Sequence, residues 1–165
     1  MIFLRKLLIL PLISLFILSS CAVTKNGEDL NSFILRMNLR NESYNLSESG
    51  FLYDEEKSVF HKFFIIEEQE ILLSFKSDNK GRLTHLNFVA DCDFYEYEKI
   101  TLFLENSLYA FINNDDLTIN ILSESNLFNN LSTKTKNTLK TKNGNIELLL
   151  DVTEIGTVIT VYKDI

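Results

Sequence analysis

Few side chains in this sequence could perform chemistry near neutral pH. The two histidines are His61 and His85, and the only thiol beyond the N-terminal region is Cys92. Neither histidine belongs to a His-x-x-x-His, His-Glu-x-x-His or Cys/His ligand spacing, and with Cys92 they are too few to argue for a zinc site. Asp91 and Asp93 flank Cys92; carboxylates raise a thiol pKa, so a small apolar residue is expected there rather than a nucleophile. No Gly-x-Ser-x-Gly elbow and no glycine-rich phosphate loop occur. The acidic groups Asp54-Glu55-Glu56, Glu67-Glu68, Asp91-x-Asp93 and Asp115-Asp116 fall where turns or helix starts are expected, and none has calcium-loop spacing. Lys134, Lys136, Lys140 and Lys142 read as the charges that keep an edge strand from pairing, with an anion-binding patch as the competing reading. The run Phe60 to Ile66 (FHKFFII) reads as a core strand covered on both faces, with an exposed lipid or peptide groove as its competitor. No catalytic, metal-ligating or cofactor-binding residue is assigned, and no cofactor is expected.

Composition narrows the classes further. The chain has 165 residues, a formal net charge of −7, 45% hydrophobic residues, one proline, five glycines and two cysteines. An acidic chain lacks the basic face that nucleic-acid phosphates require, so no nucleic acid is expected as a partner. Two cysteines make no disulfide framework.

Residues 1–20 differ from the rest. Arg5 and Lys6 precede an apolar run from Leu7 to Leu18, followed by Ser19, Ser20 and Cys21. The run is shorter than the ~20 residues a bilayer span needs and has the layout of an export signal. Leu18-Ser19-Ser20-Cys21 resembles the lipobox of bacterial lipoproteins, which signal peptidase II cuts before the cysteine. The resemblance covers the first 21 residues. It implies a lipidated Cys21 bearing a thioether-linked diacylglyceryl group, often with a further N-acyl chain, which contacts membrane lipid. One acyl chain binds a membrane marginally and two hold it stably, at about 0.8 kcal/mol per buried CH₂. An acylated Cys21 would leave Cys92 without a disulfide partner in the chain. Loss of residues 1–20 takes two basic residues and moves the formal charge from −7 to −9. Residues 21–27 then read as the lipidated cysteine and a short polar tether, and 28–165 as a single α+β extracytoplasmic domain. The mature domain resembles no characterised family.

The periodicity beyond the tether predicts the elements that would position any site. Leu30, Phe33, Ile34 and Met37 make a helical stripe over 28–38, with Asp29 as its cap. Strands are expected at 59–66, 70–77 and 83–89, with Asp78-Asn79-Lys80-Gly81 as a turn and a short extended stretch at 51–53. Asp93 to Glu96 reads as a capping box opening a helix to Asn113, whose stripe is Tyr97, Ile100, Leu104, Leu108, Phe111 and Ile112, with Asn106 facing away. Leu117 to Leu122 alternates like a strand. Extended segments at 135–141, 146–152 and 157–163 close the chain, with Asn143-Gly144 as a hairpin turn.

Echoes about 75 residues apart suggest repeats over 28–91 and 93–165: Asn31-Ser32 with Asn106-Ser107, Leu46 to Ser49 with Leu122 to Ser125, Ile71 with Ile146, and Val89-Ala90-Asp91 with Tyr162-Lys163-Asp164. Chance in an Asn-, Ser- and Leu-rich background is the competing explanation. The expected fold class is α+β: an antiparallel sheet of about six strands with two helices packed on one face, arranged as a duplicated α-β-β-β unit. The expected role is a lipid-anchored protein of the bacterial cell envelope, with a non-catalytic binding or structural task and a protein partner there. Its competitors are a small envelope hydrolase using carboxylates or His61 and His85, and a lipid or peptide carrier.

Overall fold

The computed structural model describes residues 29–91, 94, 97–132, 137–153 and 156–164. The capping box at Asp93 to Glu96 lies mostly outside the described residues, as do Cys21 and Cys92. Helix α1 (Leu30–Arg40) begins at Asp29, whose carboxylate accepts from the Ser32 N–H at 2.8 Å, and it buries Leu30, Phe33, Ile34 and Met37 as its spacing predicts. Four strands follow: β1 (Leu52–Asp54), β2 (Val59–Ile66), β3 (Gln69–Ser77) and β4 (Leu83–Ala90). Three helices come next, α2 (Glu98–Ile112), α3 (Asp115–Ser125) and α4 (Leu127–Ser132), then β5 (Asn137–Asn143), β6 (Ile146–Thr153) and β7 (Gly156–Lys163).

The seven strands of the described residues form one antiparallel sheet in the order β1-β2-β3-β4-β7-β6-β5. The fold is α+β, with one strand more than the expected six, because β1 adds three residues to the edge of β2. Two meanders meet where β4 pairs with β7. The two-residue loop between β5 and β6 is Gly144-Asn145, one position later than expected, because Asn143 still pairs with Ile146. Gly144 takes the positive φ of 57° that such a turn requires.

Two expectations are corrected. Residues 117–122 are helical, inside α3. Asn114 caps it by accepting from the Leu117 N–H at 2.9 Å, Asp115 and Asp116 complement the helix dipole in its first turn, and Thr118, Ile121 and Ser125 form its buried stripe. The alternation of LTINIL is compatible with either period over so short a window, and the cap decides it. Asn106 does not face away: it is buried, and its amide donates to the Tyr44 hydroxyl at 3.0 Å beneath the 3-10 turn at 42–44. Helix α2 is buried on more than one side, taking in Phe103, Ser107 and Ala110 beyond the expected stripe.

One face of the sheet supplies the core. Ile71, Leu73 and Phe75 of β3, Leu86, Phe88 and Ala90 of β4, Ile159 and Val161 of β7, and Ile146, Leu148 and Leu150 of β6 are all buried, and the strand register puts them on that face. Ring contacts join this face to the helices: Phe75 lies 4.5 Å from Phe33 and 6.4 Å from Phe111, and Phe103 lies 4.8 Å from Phe64 and 6.1 Å from Phe88. Cations close the end of α2, where Arg36 donates to the Ala110 carbonyl at 2.7 Å and Lys163 to the Ile112 carbonyl at 3.2 Å.

The residues that the two repeats would equate behave unequally. Ile71 lies opposite Ala90 and Ile146 opposite Lys163, matching positions of the two meanders. Leu46 to Ser49 runs into a 3-10 turn, whereas Leu122 to Ser125 ends a helix. Among the described residues, 29–91 hold one α-helix and four strands, and 97–164 three α-helices and three strands.

Phe75 has no exposed surface and three aromatic neighbours, Phe33, Phe51 and Phe111. Phe75→Ala is expected to cost about 3–5 kcal/mol through lost burial and the cavity left behind, whereas Leu39→Ala, on the 74% exposed Leu39, should stay within about 0.5 kcal/mol. Urea unfolding followed by circular dichroism measures both; equal effects would contradict the assignment of the core face.

Candidate functional site

The side chains opposite the core face form the second surface of the sheet, and both histidines stand on it. His85 is on β4, between Lys76 of β3 and Tyr162 of β7, its Cα partners on either side. Its ring meets the Tyr162 ring edge-on with centroids 4.6 Å apart, and its Nδ1 lies 2.7 Å from the Thr84 hydroxyl. Burial, and then the Lys76 ammonium, hold the His85 imidazole below its usual pKa of 6.5. His61 is on β2, opposite Leu52 and Ser74. The Ser74 hydroxyl accepts from the Asn87 amide at 3.4 Å, and no hydrogen bond joins it to His61.

His61 and His85 therefore share a face but not a site. One strand, β3, lies between theirs, and their rows differ by two residues. Strand spacing and rise then separate their Cα atoms by about 12 Å.

The acidic groups Asp54 to Glu56, Glu67-Glu68 and Asp115-Asp116 lie at turns and a helix start. Asp54 accepts from the Lys57 N–H at 3.1 Å and pairs with its ammonium at 3.4 Å; the Lys57 backbone hydrogen bond is the main cause of its lowered pKa. Asp78 accepts from the backbone N–H groups of Lys80 and Arg82, both at 2.9 Å, and from the Arg82 side chain. The Arg82 side chain is the main reason its pKa falls to about 2, so this hairpin turn keeps its charge into strong acid. Glu67 and Glu68 form the β2–β3 turn at positive φ, with Glu67 3.6 Å from Lys99. Asp115 meets Arg40 at 3.0 Å. Among the described residues, no three His, Cys, Asp or Glu side chains come together in a way that could hold a metal ion.

Lys140 and Lys142 sit on β5, an edge strand, and Lys140 pairs with Glu147 of β6 at 3.0 Å. Lys134 and Lys136 lie outside the described residues. The apolar run on β2 is split by the pleat. Phe60, Phe64 and Ile66 pack against the core, while Phe63 and Ile65 are 63% and 77% exposed on the second surface. Expecting both faces of this strand to be covered is thus wrong for the described residues. Every residue from Val59 to Ile66 except Lys62 and His61 is apolar, so residue type could not tell the covered face from the open one.

Lys62 is the feature that sequence reading missed. It falls on the core side of β2, with its ammonium 5.5 Å from the Phe51 ring centroid and 5.3 Å from that of Phe64. Gly50 makes the room: a side-chain carbon there would stand 2.5 Å from the Lys62 Nζ. Phe64, two residues on and hence on the same face of the strand, was the available signal; Phe51 lies outside the run.

No described helix is long and apolar enough to cross a membrane. No family model, curated protein or solved structure matches the chain.

The neutral imidazole favoured at His85 gives a signed pH dependence. An unfolded chain takes up this proton near pH 6.5, the folded one only at lower pH, so the histidine's contribution to stability is present above 6.5 and declines as pH falls through the folded value. In a proton NMR titration the His85 ring should show a midpoint below 6.5, moved back toward it by Lys76→Ala; a midpoint above 6.5 would contradict the arrangement.

Proposed function

We propose that the protein is a bacterial lipoprotein, held on the extracytoplasmic side of the cell membrane by lipid on Cys21, whose domain performs a non-catalytic binding or structural task in the envelope. The observation that carries this reading is Leu18-Ser19-Ser20-Cys21 placed directly after a short apolar segment with Arg5 and Lys6 ahead of it. In this reading the sheet carries its helices on one side and presents the other side to the envelope, where a protein partner docks.

What supports a binding role over hydrolysis is the placement of the reactive groups. His61 and His85 stand apart on an open surface, and Asp54, Glu67, Asp78 and Asp115 pair with lysine, arginine or backbone N–H groups at turns and a helix start. A hydrolase needs a nucleophile, a base and an oxyanion donor within hydrogen-bond reach of one another. A lipid or peptide carrier would need space between sheet and helices, where the rings of Phe33, Phe75, Phe103 and Phe111 are instead packed and almost wholly buried.

The test is maturation. Cells making the full chain and fed labelled palmitate should incorporate label, and an inhibitor of signal peptidase II should leave a species larger by residues 1–20. Cys21→Ala should abolish labelling and leave the same unprocessed chain. Normal processing and unchanged membrane attachment of Cys21→Ala would sink the proposal.

A further inference from the structure

β2 pairs with β3 along its whole length, but with β1 only at Val59, Phe60 and His61. Upstream of Leu52 the chain leaves the edge: Phe51 is buried with its ring 6.0 Å from that of Phe75, and Gly50 belongs to a 3-10 turn close to the Lys62 ammonium. Among the described residues, no strand lies beside residues 62–66. In an antiparallel strand every second residue turns both its N–H and its C=O to the same side, so this stretch offers unpaired main-chain groups.

The opposite edge of the sheet, β5, carries Lys140 and Lys142. The one charge of the open stretch, Lys62, is turned to the core side over the Phe51 and Phe64 rings, and residues 63–66 carry no charge, proline or bulge. Their outward side chains, Phe63 and Ile65, are among the most exposed large hydrophobic residues of the domain. Lys62, at the start of the open stretch, has aromatic rings but no carboxylate partner among the described residues. The occupant such an edge selects is an extended strand, apolar at alternate positions, with acid at one end.

The chain itself supplies such a strand. We infer that residues 62–66 of β2 pair antiparallel with the same residues of a second copy, joining two sheets across a two-fold axis. Centred on Phe64, this register sets Phe63 of each copy opposite Ile65 of the other, gathering four exposed apolar side chains into one cluster on the open surface. Lys62 then lies opposite Ile66, and the Glu67–Glu68 turn of each copy comes to the end of the stretch where the other's Lys62 begins. The pairing stops where β1 starts, since Leu52 already occupies the edge beside His61. This inference stands independently of lipid anchoring.

The test places a photoreactive benzoylphenylalanine at Phe63 of the full chain, irradiates intact cells, and maps the adducts by mass spectrometry. The expected product has about twice the chain's mass, with the new bond within residues 62–66 of the second copy. Ile65→Lys in the same chain, at a position too exposed to disturb the core, should abolish it, and the same probe at Asn120 on α3 should give no such product. A chain that remains monomeric, an adduct to a different protein, a bond mapped elsewhere on the chain, or an adduct that survives Ile65→Lys would each overturn the inference.

Discussion

Residue pairs from His85 opposite Tyr162 to Ala90 opposite Thr157 join two antiparallel meanders that share no other strand pairing in the described structure. The partners are about seventy residues apart in the chain, so closing them carries a loop entropy that only later burial offsets. Once closed, the pairing makes one sheet with one apolar face, from Phe60 and Phe64 across to Leu139. A four-stranded and a three-stranded sheet kept apart would each expose apolar flanks. Gly156 is set at the start of β7 by the same closure: it adopts φ 143°, and a side-chain carbon there would come 3.0 Å from the Ala90 carbonyl oxygen.

The helices follow from that apolar face. Phe33, Phe103 and Phe111 reach it from α1 and α2, and α2, enclosed on several sides, satisfies its buried polar groups internally or through neighbours. The Ser107 hydroxyl donates to the Phe103 carbonyl at 2.7 Å, and Asn106 meets Tyr44. No buried side-chain nitrogen or oxygen among the described residues is left without a hydrogen bond. The second surface of the sheet mixes half-buried aliphatics, two histidines and paired charges, and its edge at β2 is the place where backbone and apolar side chains are both open.

Much of the local structure was legible because it is set by neighbours in sequence. β2 begins and ends where its aromatic and β-branched residues do, and α1 starts at the expected cap. The hairpin signals at Asp78 to Gly81 and Asn143-Gly144 mark real reversals, the second shifted by one residue. The errors share a cause. Period counting over six residues could not separate a strand from a helix at 117–122, where the Asn114 cap was decisive. The polarity of Asn106 suggests exposure, whereas a partner 62 residues away, Tyr44, keeps it inside. The openness of the second surface at Phe63 and Ile65 depends on which elements lie across the sheet, and the β4–β7 pairing depends on contacts far apart in the chain; neither leaves a periodic trace.

The dependence of the whole domain on the β4–β7 pairing is tested most directly by native-state hydrogen exchange. Amides of residues 86–90 and 157–161 should be among the slowest to exchange, and they should share one opening free energy with those of β3 and β6, equal to that of global unfolding. Two separate opening events, one for residues 52–90 and another for 137–163, with the β4–β7 amides exchanging as fast as those of β1, would contradict it.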